Sequence, residues 1–200
     1  MDAQDNNDWD KVAEIIVAGI YDLKGAGADF AVIASNTPHN AYDKIRELYP
    51  LYVLSIMDAT ASEIKADGFS KVGLLGTKQT MEFGYFQKAF GEYGIDVVVP
   101  DEADRDFVDR VIWDELVRGK ITEEARDGYV FVIEKMADDG VDGVVLGCTE
   151  IPLLVRQEDS PVRVYDTLRI HAQAILDYAI LCVSSARIQT SLVFFLLSGC

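Results

Sequence analysis

The sequence predicts an α/β protein made of two pseudo-symmetric half-domains, each a parallel sheet flanked by helices, with a site between them. Three observations carry this expectation. Apolar β-branched runs alternate with segments of helical periodicity, the pattern of strand–helix–strand units and so of a parallel sheet. The run Val144-Val145-Leu146-Gly147 reads as a strand buried on both faces, and Cys148, Thr149, Glu150 and Pro152 follow it. The stretch Phe30–Ala34, followed by Ser35, Asn36, Thr37 and Pro38, repeats that design, with a hydroxyl where the thiol stands. Open α/β sheets bind ligands beyond the carboxyl ends of their strands. Two like strand-to-loop units far apart in the chain therefore suggest loops that face each other across one cleft.

In chain order, residues 1–8 are polar and read as frayed. Val12, Ile15, Ile16 and Ile20 recur at helical spacing over 9–24, and Gly25 and Gly27 end the helix. A strand at 30–34 delivers Ser35. A short helix after Pro38 runs to Leu48, and residues 51–56 read as the next strand. Asp58 can cap a helix through Ala66, with Gly68 past its end in the left-handed position. Lys71–Leu75 is a buried strand; Gly76-Thr77-Lys78-Gln79-Thr80 opens a helix expected to continue through Phe90. A strand at 95–99 precedes a helix from Asp101 through Leu116, and Thr122 begins another with Tyr129, Val132, Ile133 and Met136 inward. The central strand at 143–147 comes next, then a short helix, a last strand at 162–165, and a long helix from Leu168 capped by Asp166 or Thr167. From about Leu181 the composition shifts, and Leu192–Leu197 is an uncharged apolar run, an aggregation hazard rather than a functional element.

Composition excludes several classes of function. Half of the 200 residues are hydrophobic, enough to bury a sizeable core. Eighteen basic against 34 acidic residues give a formal charge of −16, which repels nucleic acid and anionic membrane. Leu192–Leu197 is far short of the roughly 20 apolar residues a membrane helix needs. The acidic N-terminus is not a signal peptide. Three widely spaced cysteines form no disulfide or metal pattern and point to a reducing, cytoplasmic compartment.

Cys148 is the first candidate for chemistry. A thiol at a strand end, followed by a helix N-terminus, lies where backbone N–H groups and the positive helix end would stabilise a thiolate. A buried, inert cysteine is the other reading of the same position. Thr77 and Thr80 at a helix start suit a carboxylate or phosphate, and equally suit ordinary helix capping. His39 and His171, the only histidines, could orient a loop or assist Ser35, or be structural.

The segments ASNTPHN, LLGTKQTM and GVVLGCTEIPLL resemble the aspartate/glutamate racemase family, cofactor-independent amino-acid racemases with two facing residues at a pseudo-symmetric interface. The resemblance covers roughly residues 10 to 180 in the family's order. It departs in three places. Ser35 replaces the family's first thiol, the opening strand and its glycine-rich loop would precede residue 1, and the last twenty residues do not match. It implies a first half-domain of residues 1–60 plus 166–200, with its opening strand missing, and a second of 61–165.

The resemblance further implies an isomerase without a cofactor or metal, a small amino-acid substrate, and a homodimer as one arrangement. Cys148 and Ser35 would stand on opposite faces of the substrate Cα. A serine hydroxyl ionises much less readily than a thiol, so it donates a proton better than it removes one. Exchange through Cys148 is therefore expected to be fast, and through Ser35 slow. Asn36, Thr37, Thr77, Thr80 and Thr149 lie in the matching loops and would hold the α-carboxylate by neutral hydrogen bonds. Arg118, with Lys120 near it, is implied as the cation for a second carboxylate, although a solvated residue at a helix C-terminus is the plainer account. His171 matches a family position near the cleft. Two other readings stay open: a decarboxylase of the arylmalonate type, which keeps only the second thiol, and a non-catalytic remnant lacking a central strand.

Overall fold

The computed structural model describes residues 2–49 and 52–185. The apolar run at 192–197 lies outside them. Two parallel sheets are formed. The first pairs β1 (Ala31–Val32) with β2 (Val53–Leu54), in the register Ala31 to Val53. The second has the order β4-β3-β5-β6, from β3 (Lys71–Leu75), β4 (Asp96–Val98), β5 (Gly143–Leu146) and β6 (Arg163–Asp166). Every pairing in it is parallel.

Local chemistry explains the elements. A turn, α1 (Asp2–Asp5), precedes α2 (Trp9–Gly25), where the Asp8 carboxylate accepts from Lys11 N. A 3-10 turn over Thr37–Ala41 leads into α3 (Tyr42–Leu48). Helix α4 (Ile56–Ala66) is capped by Ser55, whose hydroxyl accepts from Met57 N and Asp58 N, so Asp58 lies in the first turn rather than at the cap. The expected helix from Thr77 to Phe90 is broken into α5 (Lys78–Glu82) and α6 (Tyr85–Gly91). Gly84 stands between them at φ +76°, a conformation that ends one helix and re-aims the chain into the next. Asp101 caps α7 (Glu102–Asp114) and Thr122 caps α8 (Glu123–Asp138), as the sequence indicates. After Cys148 there are two 3-10 turns, Ile151–Leu153 and Gln157–Asp159, instead of a helix. The final helix is α9 (Thr167–Ser185).

The second sheet is covered on both faces, and its strands alternate accordingly. Val72, Leu74, Val145 and Tyr165 join one core with α2, α3, α4 and α6. Leu75, Val144 and Leu146 join the other core with α7 and α8. Side chains of the second sheet thus pack directly on helices that flank the first. A smaller cluster of Phe30, Leu54 and Ile175 ties the first sheet to α9. Ser35, Thr77, Cys148 and Thr167 all follow the carboxyl ends of strands. That shared edge is where a site can form.

Candidate active site

Backbone packing at the ends of β3 and β5 sets the floor. Gly147 N donates to Leu75 O at 2.6 Å. A Cβ on Gly147 would stand 2.9 Å from Leu74 Cδ1 and 3.1 Å from Leu75 O, and one on Gly76 2.8 Å from Thr80 Cγ2. Only glycine allows these two strand ends to touch, and Thr80 packs over both. Cys148, the next residue, is buried within the second core. Its thiol donates to Glu150 Oε2 at 3.0 Å, and the Thr149 hydroxyl donates to the same oxygen at 2.8 Å. The sulfur therefore faces a carboxylate in place of the helix N-terminus the sequence suggested. A 3-10 turn of three residues carries little dipole.

Three loops are tied together by hydroxyl and amide groups. Thr77 Oγ1 accepts from Thr80 N at 3.3 Å and lies 3.1 Å from Thr80 Oγ1. Thr37 Oγ1, on the loop after β1, lies 3.4 Å from the same Thr80 oxygen. Tyr85 OH donates to it at 3.0 Å. Asn36 Nδ2 donates to Thr167 Oγ1 at 3.0 Å, and Thr167 in turn donates to Leu146 O at 2.8 Å, two residues before Cys148. The Asn36 loop is thereby pinned to the strand that delivers the thiol. Asn36 Oδ1 is buried and accepts no hydrogen bond. A buried acceptor left so is costly, and such an atom is a natural contact for a donor brought by a ligand.

The histidines staple the loop after β1 from behind. His39 Nδ1 donates to Ser35 O at 2.8 Å, while its Nε2 accepts from Ile56 N at 3.2 Å, which fixes the tautomer. Burial, then the nearby His171 ring, lowers the His39 pKa to about 3. His171 Nε2 donates to Leu54 O at 3.0 Å, and burial lowers its pKa as well. The two rings meet edge to face at 6.3 Å. His39 thus holds the carbonyl of Ser35 and has no nitrogen left for its hydroxyl.

Of the candidate residues, Ser35, Asn36, Thr37, Thr77, Thr80, Cys148, Thr149 and His171 lie on these strand ends or directly behind them. Arg118 stands apart. Its side chain is 70% exposed and 3.7 Å from Asp114, and Lys120 pairs with Glu115. Helices α7 and α8 run antiparallel, since Lys135 reaches Asp101 and Tyr129 OH donates to Val108 O. Arg126 reaches Leu154 O, so the turn carrying Arg118 lies at the same sheet edge as Cys148. Sequence reasoning missed Tyr85 and the bridging role of Thr167. Both depend on contacts far along the chain or on the break at Gly84. Among the described residues no group of His, Cys, Asp or Glu is arranged to hold a metal ion, and no helix is long and apolar enough to cross a membrane.

The chain is 27% identical over 161 residues to the glutamate racemase of Aquifex aeolicus, covering 78% of this chain and 61% of that protein. It is 33% identical over 135 residues to the glutamate racemase of Corynebacterium kroppenstedtii, covering 66% and 46%. The chain therefore spans about half to three fifths of the length of these curated relatives. A crystal structure of a Yersinia pestis protein assigned to the Asp/Glu racemases superposes with a TM-score of 0.85 at 44% identity, over 90% of this chain and 78% of that one. Residues 2–175 match the family model described as Asp/Glu/Hydantoin racemase, and the chain belongs to that family.

Proposed function

We propose that this chain carries the second-thiol side of a cofactor-independent amino-acid racemase acting on aspartate or glutamate. The observation that supports it most is the buried Cys148 thiol, held at a strand end joined through Leu146, Thr167 and Asn36 to the loop of Ser35. In this reading the Cys148 proton passes to Glu150, and the thiolate removes the α-proton from one face of the substrate. Ser35 returns a proton to the other face and is reprotonated by solvent. Donors from the threonine cluster offset the charge that develops on the α-carboxylate. Asn36 Oδ1 receives the substrate ammonium. Thr149 donates its hydroxyl proton to Glu150 rather than to the α-carboxylate. Arg118, at the same edge, would meet a side-chain carboxylate. Pyridoxal phosphate has no part in this scheme, since two facing groups replace it.

The same reading takes residues 1–60 with 166–200 and residues 61–165 as the two half-domains, and a reducing cytoplasm as the compartment; a homodimer fits it too. The test is α-proton exchange in deuterated water, begun from each enantiomer of aspartate and glutamate and followed by chiral analysis. Wild type should exchange one enantiomer faster. Cys148→Ala should abolish exchange, and Ser35→Ala should abolish net inversion while leaving one-sided exchange. Equal exchange from both enantiomers, or exchange that survives Cys148→Ala, would sink the assignment.

A further inference from the structure

We infer that Asp109 is a positioning residue: from α7 it holds the peptide that follows Thr77 and so keeps the Thr77 hydroxyl at the strand edge. The inference rests on the carboxylate-binding role of the threonine cluster in the reading above and adds a residue to it. Only Gly76 and Thr77 join β3 to α5, and α5 has five residues. A helix that short does not hold itself, and the left-handed Gly84 cuts it off from α6. What fixes its start must come from outside. Lys78 N donates to Asp109 Oδ1 at 2.7 Å, across 31 positions of sequence. Trp113 Nε1, one turn further along α7, donates to the same oxygen at 3.2 Å and sets the direction of the carboxylate. The Lys78 ammonium pairs with Asp106 on the same face of α7. Two carboxylates of one helix therefore grip both the main chain and the side chain of the residue after Thr77.

That grip reaches Thr77 through the backbone. The direction of the Lys78 N–H is set by ψ of Thr77, which stands at 158° with φ at −61°. Holding the amide holds that torsion, and with it the Cα from which the hydroxyl projects. Thr77 Oγ1 accepts from Thr80 N at 3.3 Å and lies 3.1 Å from Thr80 Oγ1. Those two contacts lie within the cap and first turn of α5, so they move with that segment as a body. Asp109 ties the segment to a helix whose Val108, Val111 and Ile112 are buried in the second core. The geometry uses the oxygen as an acceptor. A negative charge behind a carboxylate subsite opposes binding there. Asparagine, which keeps the oxygen and drops the charge, should therefore replace Asp109, and alanine should not.

The experiment measures binding of L-aspartate and L-glutamate by calorimetry, with α-exchange kinetics alongside. It compares wild type, Asp109→Ala, Asp109→Asn, Thr77→Val and the double variant D109A/T77V. Losing a hydrogen bond to a charged group leaves the loop in place about a tenth as often, so affinity in D109A should fall about tenfold. KM should rise by that factor, with kcat changed less. D109N should stay within about threefold of wild type, because the acceptor remains. Since Asp109 acts through Thr77, the double variant should bind no worse than T77V. A merely structural acceptor would lower the thermal midpoint of D109A and leave its affinity and KM at the wild-type values. That result, equal losses in D109N and D109A, or losses that multiply in the double variant, would overturn the inference and leave the racemase reading intact. Binding that weakens in D109A and returns in D109N, in a protein without α-exchange, would overturn the racemase reading alone. Binding of neither amino acid by wild type would overturn both. Should D109A not fold, hydrogen exchange in wild type decides: the Lys78 amide should be protected without ligand. An amide that exchanges freely until the amino acid binds would mean that the ligand, and not Asp109, orders the loop.

Discussion

At the scale of single residues, His39 shows how a polar group becomes structural. Both ring nitrogens are committed, one to Ser35 O and one from Ile56 N, and the second contact exists only for neutral imidazole. Its pKa in the fold is about 3 against 6.5 unperturbed. A depressed histidine pKa favours the fold only while the unfolded chain is also neutral. The stabilisation is thus whole above pH 6.5 and is lost as pH falls toward 3. Between pH 6.5 and 5 the loss from His39 should be about 2 kcal/mol. His171 is shifted in the same direction by burial and adds to it. Urea unfolding of wild type and His39→Gln across that interval checks this, and the variant should show a shallower slope by that amount. Cys148 and Glu150 make a related point. The type of residue made Cys148 a candidate for chemistry, but the partner of the sulfur was decided by a loop conformation.

At the scale of elements, β6 is the edge of its sheet, and its outer face is closed by one side chain. Gln157 Nε2 donates to Val162 O at 2.9 Å and Gln157 Oε1 accepts from Val164 N at 2.9 Å. A neighbouring parallel strand would make the same two bonds, so the amide stands in for a peptide group and blunts an open edge. Gln157→Leu should cost about 1–3 kcal/mol through the two lost bonds. It should also increase self-association, since unpaired edge groups template pairing. Chemical denaturation and size-exclusion chromatography at several concentrations test the two effects. The break between α5 and α6 belongs to this scale too. Periodicity through Phe90 suggested one helix; the left-handed Gly84 made two and thereby brought Tyr85 to Thr80.

At the scale of the molecule, the formal charge of −16 is spread over a fold whose ion pairs are mostly solvent-exposed, where such pairs contribute little. Net self-repulsion then opposes compaction. Raising ionic strength from about 0.01 to 0.15 M shortens the screening length from about 30 to 8 Å and should raise the thermal midpoint. Scanning calorimetry across that series checks it, and a flat or falling midpoint would mean that the surface pairs outweigh the net charge.

Much of this architecture was legible in the chain. The alternation of β-branched runs and helical stripes dictated parallel sheets, and the repeated strand-to-hydroxyl and strand-to-thiol units placed Ser35 and Cys148 just past strand ends, because local propensity and burial period are written in neighbouring residues. The joining of Asn36 to Thr167, the meeting of Thr37, Thr77 and Tyr85 at Thr80, the pairing of the thiol with Glu150 and the outward place of Arg118 were decided by the tertiary structure alone. These depend on distances between segments that only packing brings together. No local pattern encodes the direction in which a hydroxyl or carboxylate will find its partner.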